Sequence, residues 1–292
     1  MLLPKFEYFA PNTIEEACSL LAKYKGEARA LAGGTDLLVQ MKNREVTPRY
    51  LINIKNIPDL DYIRYDDEEG LRIGALTVME ALKTSTLIRR RFGILSQAAG
   101  ALGTVQIRNR GTIAGNLCNA SPAAETAPAL ITLAAKARIV GVAGERAVAL
   151  EDFFIAPGQT VLQAGEILTE IQVPNSPPRS GGVYLKHSIK RMDIAIVGVG
   201  VVITLDGEVC NDIKIALGAV ASTPVRAKKA EEIIRGQGLD RELMERAAQI
   251  AAEESRPIDD IHSYAEYRKQ MVKVLAKEAM GQAVEQAKLG GS

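Results

Sequence analysis

A stretch of small and polar residues in the middle of the chain has the composition of a ligand-binding loop. It reads Thr-Ile-Ala-Gly-Asn-Leu-Cys-Asn-Ala-Ser-Pro from Thr112 to Pro122, is followed by Glu125, and leads into an apolar helix predicted over residues 126–135. Residues without bulk let the backbone approach a ligand closely, and N–H groups at a helix entrance favour an anion. The segment therefore predicts a site for a phosphate-bearing ligand.

A segment of the same kind occurs earlier in the chain. It reads Ala-Leu-Ala-Gly-Gly-Thr-Asp-Leu-Leu from Ala30 to Leu38, so that a short apolar strand runs through Gly33 and Gly34 into a predicted helix. A single Gly pair after a strand is more often only a turn, and neither segment is specific by itself. Two such segments in one chain favour a phosphate site that is divided between them.

The order of these motifs resembles the FAD-binding medium subunit of the molybdenum hydroxylases, of the xanthine dehydrogenase and carbon monoxide dehydrogenase type. The resemblance covers nearly the whole chain. It is carried by Ala32-Gly33-Gly34-Thr35-Asp36, Gln106-Ile107-Arg108-Asn109, Thr112-Ile113-Ala114-Gly115-Asn116, Gly165-Glu166-Ile167-Leu168 with Ile171, Val173 and Pro174, Leu185-Lys186, and Met192-Asp193-Ile194-Ala195. It implies an α+β fold, in which a two-lobed FAD-binding domain (PCMH/vanillyl-alcohol-oxidase-like) precedes a C-terminal domain of a small antiparallel sheet and a helix bundle.

The resemblance also implies where FAD binds. The cofactor would lie extended between two N-terminal lobes, with its pyrophosphate on the Gly33-Gly34 and Gly115-Asn116 segments. Backbone N–H groups can neutralise phosphate charge there without a basic cluster. No catalytic residue and no metal ligand is expected in this chain. The expected cofactor-binding residues are Arg29, Ala30, Leu31, Ala32, Gly33, Gly34, Thr35, Asp36, Leu102, Thr112, Ile113, Ala114, Gly115, Asn116, Glu125, Leu168 and Lys186.

Some of these residues have an expected individual role. Thr35 and Asn116 would add side-chain donors, whereas Asp36 is expected to cap the following helix instead of facing a phosphate. The resemblance places Glu125 on the sugar hydroxyls of the cofactor, but a carboxylate in the first turn of a helix is also favoured by the helix dipole alone. Lys186 matches a cofactor-contacting lysine of the family, and the alternative is an ordinary surface lysine.

Three further positions follow from the family pattern. Leu168 lies where strand backbone holds the adenine end of the cofactor, and Leu102 aligns with a bulkier flavin-packing residue. Ala114 departs from the pattern, because the family often has Gly there; one methyl group should be tolerated unless the position needs a positive φ.

Composition excludes several other classes. The 292 residues are 47% hydrophobic, which is enough for a sizeable core, and their formal net charge of +1 offers no reason to expect nucleic acid or a membrane surface. Cys18, Cys118 and Cys210 are far apart, so this chain alone should not hold zinc or an iron–sulfur cluster. No Ser–His–Asp arrangement supports hydrolysis. Without a signal peptide or an apolar run of membrane length, a cytoplasmic chain without membrane insertion is expected.

The predicted elements divide the chain into two domains. Strands alternate with helices before residue 56, which favours a small, mainly parallel sheet. Thr13 with Glu16, and Thr77 with Glu80, predict two capping boxes, and the acidic run 66–70 predicts a hairpin tip. The Pro- and Gly-rich stretch 174–182 predicts a linker. We expect an FAD-binding domain over residues 1–176, with lobes of about 1–56 and 57–176, and a C-terminal domain over residues 177–292 whose helices span 225–235, 240–254 and 263–283.

The function that the resemblance implies is electron transfer within a larger enzyme. A molybdopterin-binding large subunit would oxidise the substrate, and a small subunit with [2Fe–2S] clusters would pass electrons to the FAD of this chain, which would deliver them to NAD or another acceptor. A hetero-oligomer such as a dimer of heterotrimers is expected. Two alternatives stay open at this point: a stand-alone FAD oxidoreductase of similar fold, and a flavin-free assembly subunit.

Overall fold

The first unit of the fold is a three-stranded parallel sheet with two helices. The computed structural model describes residues 2–190 and 192–290, so residue 1 of the predicted FAD-binding domain and residues 191, 291 and 292 of the predicted C-terminal domain lie outside it. The elements are β1 (Glu7–Phe9), α1 (Ile14–Lys23), β2 (Ala28–Leu31), α2 (Leu37–Lys42) and β3 (Tyr50–Asn53). Strand β3 lies between β1 and β2 and is parallel to both, which confirms the predicted parallel sheet.

The second unit is an antiparallel sheet of order β4-β5-β10-β6-β7 with short helices packed against it. The longest of these helices, α5, has nine residues. Its elements are β4 (Ile63–Asp66), β5 (Gly70–Gly74), α3 (Met79–Thr84), α4 (Thr86–Arg91), α5 (Gly93–Ala101), α6 (Val105–Arg108), α7 (Ile113–Cys118), α8 (Thr126–Thr132), β6 (Lys136–Gly141), β7 (Gly144–Ala149), a 3-10 turn (Leu150–Asp152), β8 (Phe154–Ala156), β9 (Gln159–Thr160) and β10 (Glu166–Val173). The run 66–70 forms the tip between β4 and β5, as predicted, and Asp66 Oδ1 accepts hydrogen bonds from the backbone of Glu68 and Glu69.

The predicted helix caps are correct only in part. Thr13 caps α1 through the N–H of Glu16 at 3.2 Å, but the Glu16 carboxylate reaches the N–H of Asn12 instead of closing the box on Thr13. The box predicted at Thr77 and Glu80 is wrong. Helix α3 begins after Val78, because the Thr77 hydroxyl donates to the carbonyl of Tyr62 and the Glu80 carboxylate pairs with basic side chains.

The C-terminal unit is an antiparallel sheet of order β11-β12-β13-β14 covered by helices. Its elements are β11 (Ser180–His187), β12 (Val197–Asp206), β13 (Val209–Gly218), β14 (Val225–Arg226), α9 (Lys228–Ile234), α10 (Arg241–Glu254) and α11 (Ala265–Leu289). The sequence predicted a helix from residue 225, but that segment first adds the short edge strand β14. The last helix also continues six residues beyond its predicted end at 283. The architecture is α+β, as expected.

Two helices connect the second unit to the C-terminal sheet. Buried residues of α5 and α8 belong to the same core as Tyr184 of β11 and Ala216 of β13. Gly200 of β12 is packed so closely that an added Cβ would lie 3.0 Å from the backbone of Pro128 in α8. The ends of α5 and α8 are therefore fixed relative to β11, and these ends carry several of the predicted site residues.

The described part of the chain shows neither a membrane-spanning helix nor a cluster of metal-ligand side chains. In residues 2–190 and 192–290, no helix combines the length and the apolar character that crossing a membrane requires. The same residues contain no group of three or more His, Cys, Asp or Glu side chains placed to hold a metal ion.

Candidate functional site

The segment after β2 lies directly against the segment before α7. A Cβ added to Gly33 would lie 2.0 Å from the carbonyl oxygen of Arg110 and 3.1 Å from Gly111 Cα, so only glycine fits there. The next residue, Gly34, has a φ of +74°, a conformation that other residues rarely adopt. The two glycines therefore have different tasks: the first allows close approach of two backbones, and the second allows the turn into α2.

The backbone of this first segment is available to bind an anion. Across residues 2–190 and 192–290, the N–H groups of residues 32–36 find no backbone or side-chain acceptor. Five consecutive donors at the start of a helix form a cradle in which partial positive charges converge. Residues 32–35 are half-buried and Asp36 is exposed. Because N–H groups away from water are nearly always paired in native proteins, the run of unpaired ones calls for a ligand or solvent. A pyrophosphate fits this donor set.

Part of the second segment is a helix and not a loop. Thr112 is the N-cap of α7, and its hydroxyl accepts a hydrogen bond from the N–H of Gly115 at 3.1 Å. The N–H groups of Ile113 and Ala114 donate to the carbonyls of Thr77 and Ala75. The backbone donors of residues 113–115 are thus used within the protein, unlike those of residues 32–36, and the two segments are not equivalent.

Asn116 and Ala114 have positions that the sequence alone did not reveal. The Thr126 hydroxyl at the start of α8 hydrogen-bonds to Asn116 Oδ1, so this side chain ties α7 to α8. Ala114 has a helical position without positive φ, since the described non-glycine residues with positive φ do not include it. The extra methyl group relative to the family pattern is therefore tolerated, as expected.

Glu125 and Lys186 form a buried ion pair. Lys186 Nζ lies 3.1 Å from Glu125 Oε1, and their side chains are 5% and 9% exposed. The ammonium group also donates to the carbonyl of Ala101, at the C-terminus of α5, at 2.7 Å. Lys186 is therefore not a surface lysine. Glu125 is the N-cap residue of α8 and makes no side-chain cap hydrogen bond, but its carboxylate still lies at the helix start that the dipole favours.

The electrostatics of three acidic groups show that they share one environment. Burial raises the pKa of Glu125, and the Lys186 ammonium offsets part of this increase, whereas the nearby Asp36 charge adds to it. Burial also raises the pKa of Asp36 itself, against a hydrogen bond from Thr35. The pKa of the Tyr184 hydroxyl is raised by burial and by Glu125. The end of the first segment and the Glu125–Lys186 pair are therefore close enough to interact.

Asp36 differs from its predicted role. It occupies the N-cap position of α2, but its side chain makes no cap hydrogen bond and instead accepts one from the Thr35 hydroxyl at 3.3 Å. Its αR backbone (φ −97°, ψ −54°) is not the extended conformation from which a cap side chain normally reaches the N–H of the first turn.

The remaining predicted residues lie in the framework around this site. Arg29, Ala30 and Leu31 belong to β2, which delivers the first segment. Leu102 is the C-cap of α5, adjacent to the carbonyl that Lys186 holds. Leu168 is buried in β10. The backbone carbonyl of the next residue, Thr169, accepts a hydrogen bond from the N–H of Ala75, and the carbonyl of Ala75 accepts one from the N–H of Ala114. These hydrogen bonds connect the predicted adenine end to the start of α7.

One charged residue near the site was quoted in a motif but given no role. Arg108, at the end of α6, is half-buried and donates to the carbonyls of Leu102 and Gly103. Its place in the Gln-Ile-Arg-Asn motif was the only sequence signal for it.

A cavity of about 990 Å³ lies away from the first segment, between residues 121–123 and the C-terminal helices.

The fold and the site together define a class of protein, the flavoprotein subunit of an oxidoreductase. Residues 4–176 match the family model described as "FAD binding domain in molybdopterin dehydrogenase", and residues 182–283 match "CO dehydrogenase flavoprotein C-terminal domain". The chain belongs to this family of FAD-binding molybdopterin dehydrogenase subunits, and its cofactor is FAD.

Individual relatives agree with this assignment over almost their whole length. The carbon monoxide dehydrogenase medium chain of Hydrogenophaga pseudoflava is 35% identical, over 97% of this chain and 98% of that one. The 6-hydroxypseudooxynicotine dehydrogenase complex subunit alpha of Paenarthrobacter nicotinovorans is 32% identical, over 98% and 96%. A solved structure of the Hydrogenophaga pseudoflava carbon monoxide dehydrogenase, which lacks the Mo-pyranopterin moiety, superposes with a TM-score of 0.95 at 35% identity, covering 98% of this chain and 99% of that one.

Proposed function

We propose that this chain is the electron-transfer subunit of a molybdenum hydroxylase complex. It receives electrons from the [2Fe–2S] clusters of a small partner subunit and passes them, through its FAD, to NAD or another acceptor. A large partner subunit carries the molybdopterin and oxidises the substrate, and the complex is a hetero-oligomer such as a dimer of heterotrimers. Support comes from relatives named as medium chains or subunits of such dehydrogenases.

The observation that carries the proposal is the row of unpaired N–H groups over residues 32–36. In our proposal these five groups bind the FAD pyrophosphate, with Gly33 and Gly34 shaping the cradle, and the Thr35 hydroxyl adds a donor by turning from Asp36 to the cofactor. Strand β2, through Arg29, Ala30 and Leu31, fixes where the cradle begins. Neutral donors suffice because several N–H dipoles aimed at one anion offset its charge.

The second segment has a supporting role. Thr112, Ile113, Ala114 and Gly115 use their backbone within the fold, so we propose that they form the wall against which residues 32–36 are set. Asn116 presents its amide group beside this wall while it remains fixed to Thr126. Leu168 supplies the strand backbone at the adenine end. The hydrogen-bond pattern thus supports different roles for the two segments, whereas the sequence predicted that both would bind the pyrophosphate.

The buried pair is the proposed contact for the polar groups of the cofactor between its phosphates and its ring. The Lys186 ammonium uses two of its three donors, on Glu125 Oε1 and on the Ala101 carbonyl, and burial of the pair makes the third donor favour a ligand. We propose that Glu125 accepts hydrogen bonds from sugar hydroxyls and that Lys186 donates to the cofactor. In our proposal Leu102, next to the Ala101 carbonyl that Lys186 holds, packs against the flavin, and Asp36 contributes its negative charge near Glu125.

FAD, when bound, supplies the redox chemistry, since a flavin accepts electrons singly and releases them singly or in pairs. No side chain of this chain needs to act as an acid or a base. The protein binds the cofactor, excludes water with the core of α5 and α8, and sets the charges around it.

The domain boundary between residues 176 and 177 is likewise a proposal. It is supported by the strands on either side, because β10 of the second unit ends at Val173 and β11 of the C-terminal sheet begins at Ser180. The cytoplasmic location stays a prediction.

The experiment that tests the function uses the purified complex under anaerobic conditions. Substrate-independent reduction of the [2Fe–2S] partner should be followed by loss of the flavin absorption band of this chain, and addition of NAD should restore that band with formation of NADH. Restoration by a quinone, a ferredoxin or oxygen instead would assign another acceptor. A flavin that stays oxidised while the clusters are reduced would contradict the proposal, and turnover by the isolated chain would support the stand-alone alternative.

A further inference from the structure

Three consecutive carbonyl groups at the C-terminal end of α5 are held by two cationic side chains. Lys186 Nζ donates to the carbonyl of Ala101 at 2.7 Å. One nitrogen of Arg108, Nη1, donates to the carbonyls of Leu102 at 3.1 Å and Gly103 at 3.0 Å. The last carbonyls of a helix have no partner within the helix and attract cations, so this end of α5 is a natural place for both side chains.

Each of the two cations is held in turn by a carboxylate. Lys186 pairs with Glu125, as described above, and Arg108 Nε lies 2.6 Å from Glu80 Oε2 in α3. The side chains of Arg108 and Glu80 are 12% and 19% exposed, so solvent screens their interaction only in part. Glu80 is also held by Lys83 at 2.8 Å. The Arg108 guanidinium is therefore fixed on one side by α3 while its other side holds the chain after α5.

The chain after α5 needs this support because it turns sharply. Gly103 has a φ of +43°, and the Thr104 hydroxyl caps α6 one residue later. A guanidinium is planar and presents several donors in a fixed geometry, so it can bind a carboxylate and two carbonyls together, which an ammonium cannot reproduce. Without it, the carbonyls of Leu102 and Gly103 would lose the only protein donors that the described residues give them.

We propose that Arg108 is a positioning residue for FAD. It holds the Leu102–Gly103 backbone and so fixes Leu102, which the proposed function places beside the flavin, on the same helix end that Lys186 holds. This inference rests on the proposed function for the location of the flavin. Arg108 acts through the backbone of residues 102 and 103 and not by contact with the cofactor.

The test compares substitutions at Arg108 with a matched control in the full-length chain. Arg108→Met removes all three hydrogen bonds, Arg108→Lys keeps the charge but not the planar fork, and Glu80→Gln weakens the support from α3. Arg226→Met is the control, because Arg226 also forms a well-buried pair, with Glu231, but belongs to β14 and touches none of the proposed FAD segments. The measurements are the dissociation constant of FAD, the visible circular dichroism of bound FAD, and amide hydrogen exchange of residues 102–105 in the cofactor-free chain.

We expect Arg108→Met to weaken FAD binding about tenfold, or about 1.4 kcal/mol. It should also speed hydrogen exchange at residues 102–105 about tenfold and change the visible dichroism of the flavin. Arg108→Lys should recover only part of each effect, and Arg226→Met should lower the melting temperature without changing the flavin signals. If Arg108→Met does not fold, Arg108→Lys and Glu80→Gln decide the same question. Folded Arg108 variants with wild-type FAD affinity and dichroism would overturn this inference and leave the proposed function intact, whereas a wild-type chain that binds no FAD would overturn both.

Discussion

Lys186 of β11 and Glu125 at the start of α8, 61 residues apart in the chain, form a buried ion pair with 3.1 Å between Nζ and Oε1. Breaking a buried pair by removal of one partner costs about 3–5 kcal/mol, because the other charge is left without compensation. We predict that Lys186→Met destabilises the chain by about this amount and lowers FAD retention. Thermal unfolding and the flavin content after gel filtration would measure both effects.

The same pair predicts a dependence on pH. Burial raises the pKa of Glu125, so ionising this carboxyl costs the folded state stability as the pH rises through the raised pKa. Loss of the Lys186 charge removes the interaction that offsets this shift, and the stability gap between wild type and Lys186→Met should widen with increasing pH. The double variant Glu125→Gln/Lys186→Met should lose less than the two single variants together. A gap that is constant over pH, with strictly additive losses, would contradict a coupled buried pair.

Gly33→Ala should disrupt the contact between the two segments. The new methyl carbon would lie 2.0 Å from the carbonyl oxygen of Arg110, which is backbone and cannot rotate away. We expect a destabilisation of about 1–3 kcal/mol, as for overpacked sites, and strongly reduced FAD binding. Gly281→Ala is the matched control, because a Cβ there has no neighbour within 4 Å. Equal behaviour of the two variants would show that residues 33 and 110 do not meet as described.

Glu80→Gln should reduce stability at neutral pH but not at acid pH, because the ionised Glu80 carboxylate stabilises the fold. Hydrogen bonds from Lys83, and then from Arg108, lower the pKa of Glu80. A lowered pKa in the folded state contributes stability above the ordinary pKa of the group, and this contribution is lost as the pH falls through the lowered value. The melting temperature of Glu80→Gln should therefore be below that of wild type at about pH 7 and approach it at about pH 3. A difference that persists at acid pH would mean that packing, and not charge, is responsible.

The free cysteines should be unreactive in the folded chain. Burial, with smaller effects of Glu15 and Glu166, raises the pKa of Cys18 to about 11, and burial raises those of Cys118 and Cys210 to about 12. Because the thiolate is the reactive form, a disulfide reagent at about pH 8 should label Cys18 and Cys210 only after unfolding. Fast labelling of either residue in the native chain would contradict its burial.

Much of the fold could be predicted because its signals are local. The strand and helix alternation before residue 56, the acidic tip at 66–70 and the start of the Pro-rich linker after Val173 follow from short-range chemistry. The linker predicted to residue 182 is too long, because β11 begins at Ser180 and pairs with β12. Helix α7 was missed because Gly115, Asn116 and small neighbours resemble a loop, although Thr112 is a good N-cap residue. The failed cap at Thr77 has a tertiary cause, since its hydroxyl bonds to Tyr62, fifteen residues earlier.

The candidate site could be proposed from the sequence as a set of residues but not as an arrangement. The motif at residues 32–36 predicted an anion site, where the described N–H groups have no protein acceptor, and resemblance pointed to Glu125 and Lys186. That these two pair with each other, and that Arg108 and Lys186 hold adjacent carbonyls of α5, depends on packing between elements far apart in sequence. The unequal hydrogen bonding of the two glycine-containing segments is likewise a property of the folded backbone, which residue types do not reveal.

The central claim is that residues 32–36, Glu125 and Lys186 hold FAD, and the visible absorption spectrum of the purified chain tests it most directly. We expect a yellow protein whose chromophore, released by denaturation, is identified as FAD, and whose absorption is diminished in the Gly33→Ala and Lys186→Met variants. A folded but colourless chain that cannot be reconstituted with FAD would show that these residues do not hold FAD.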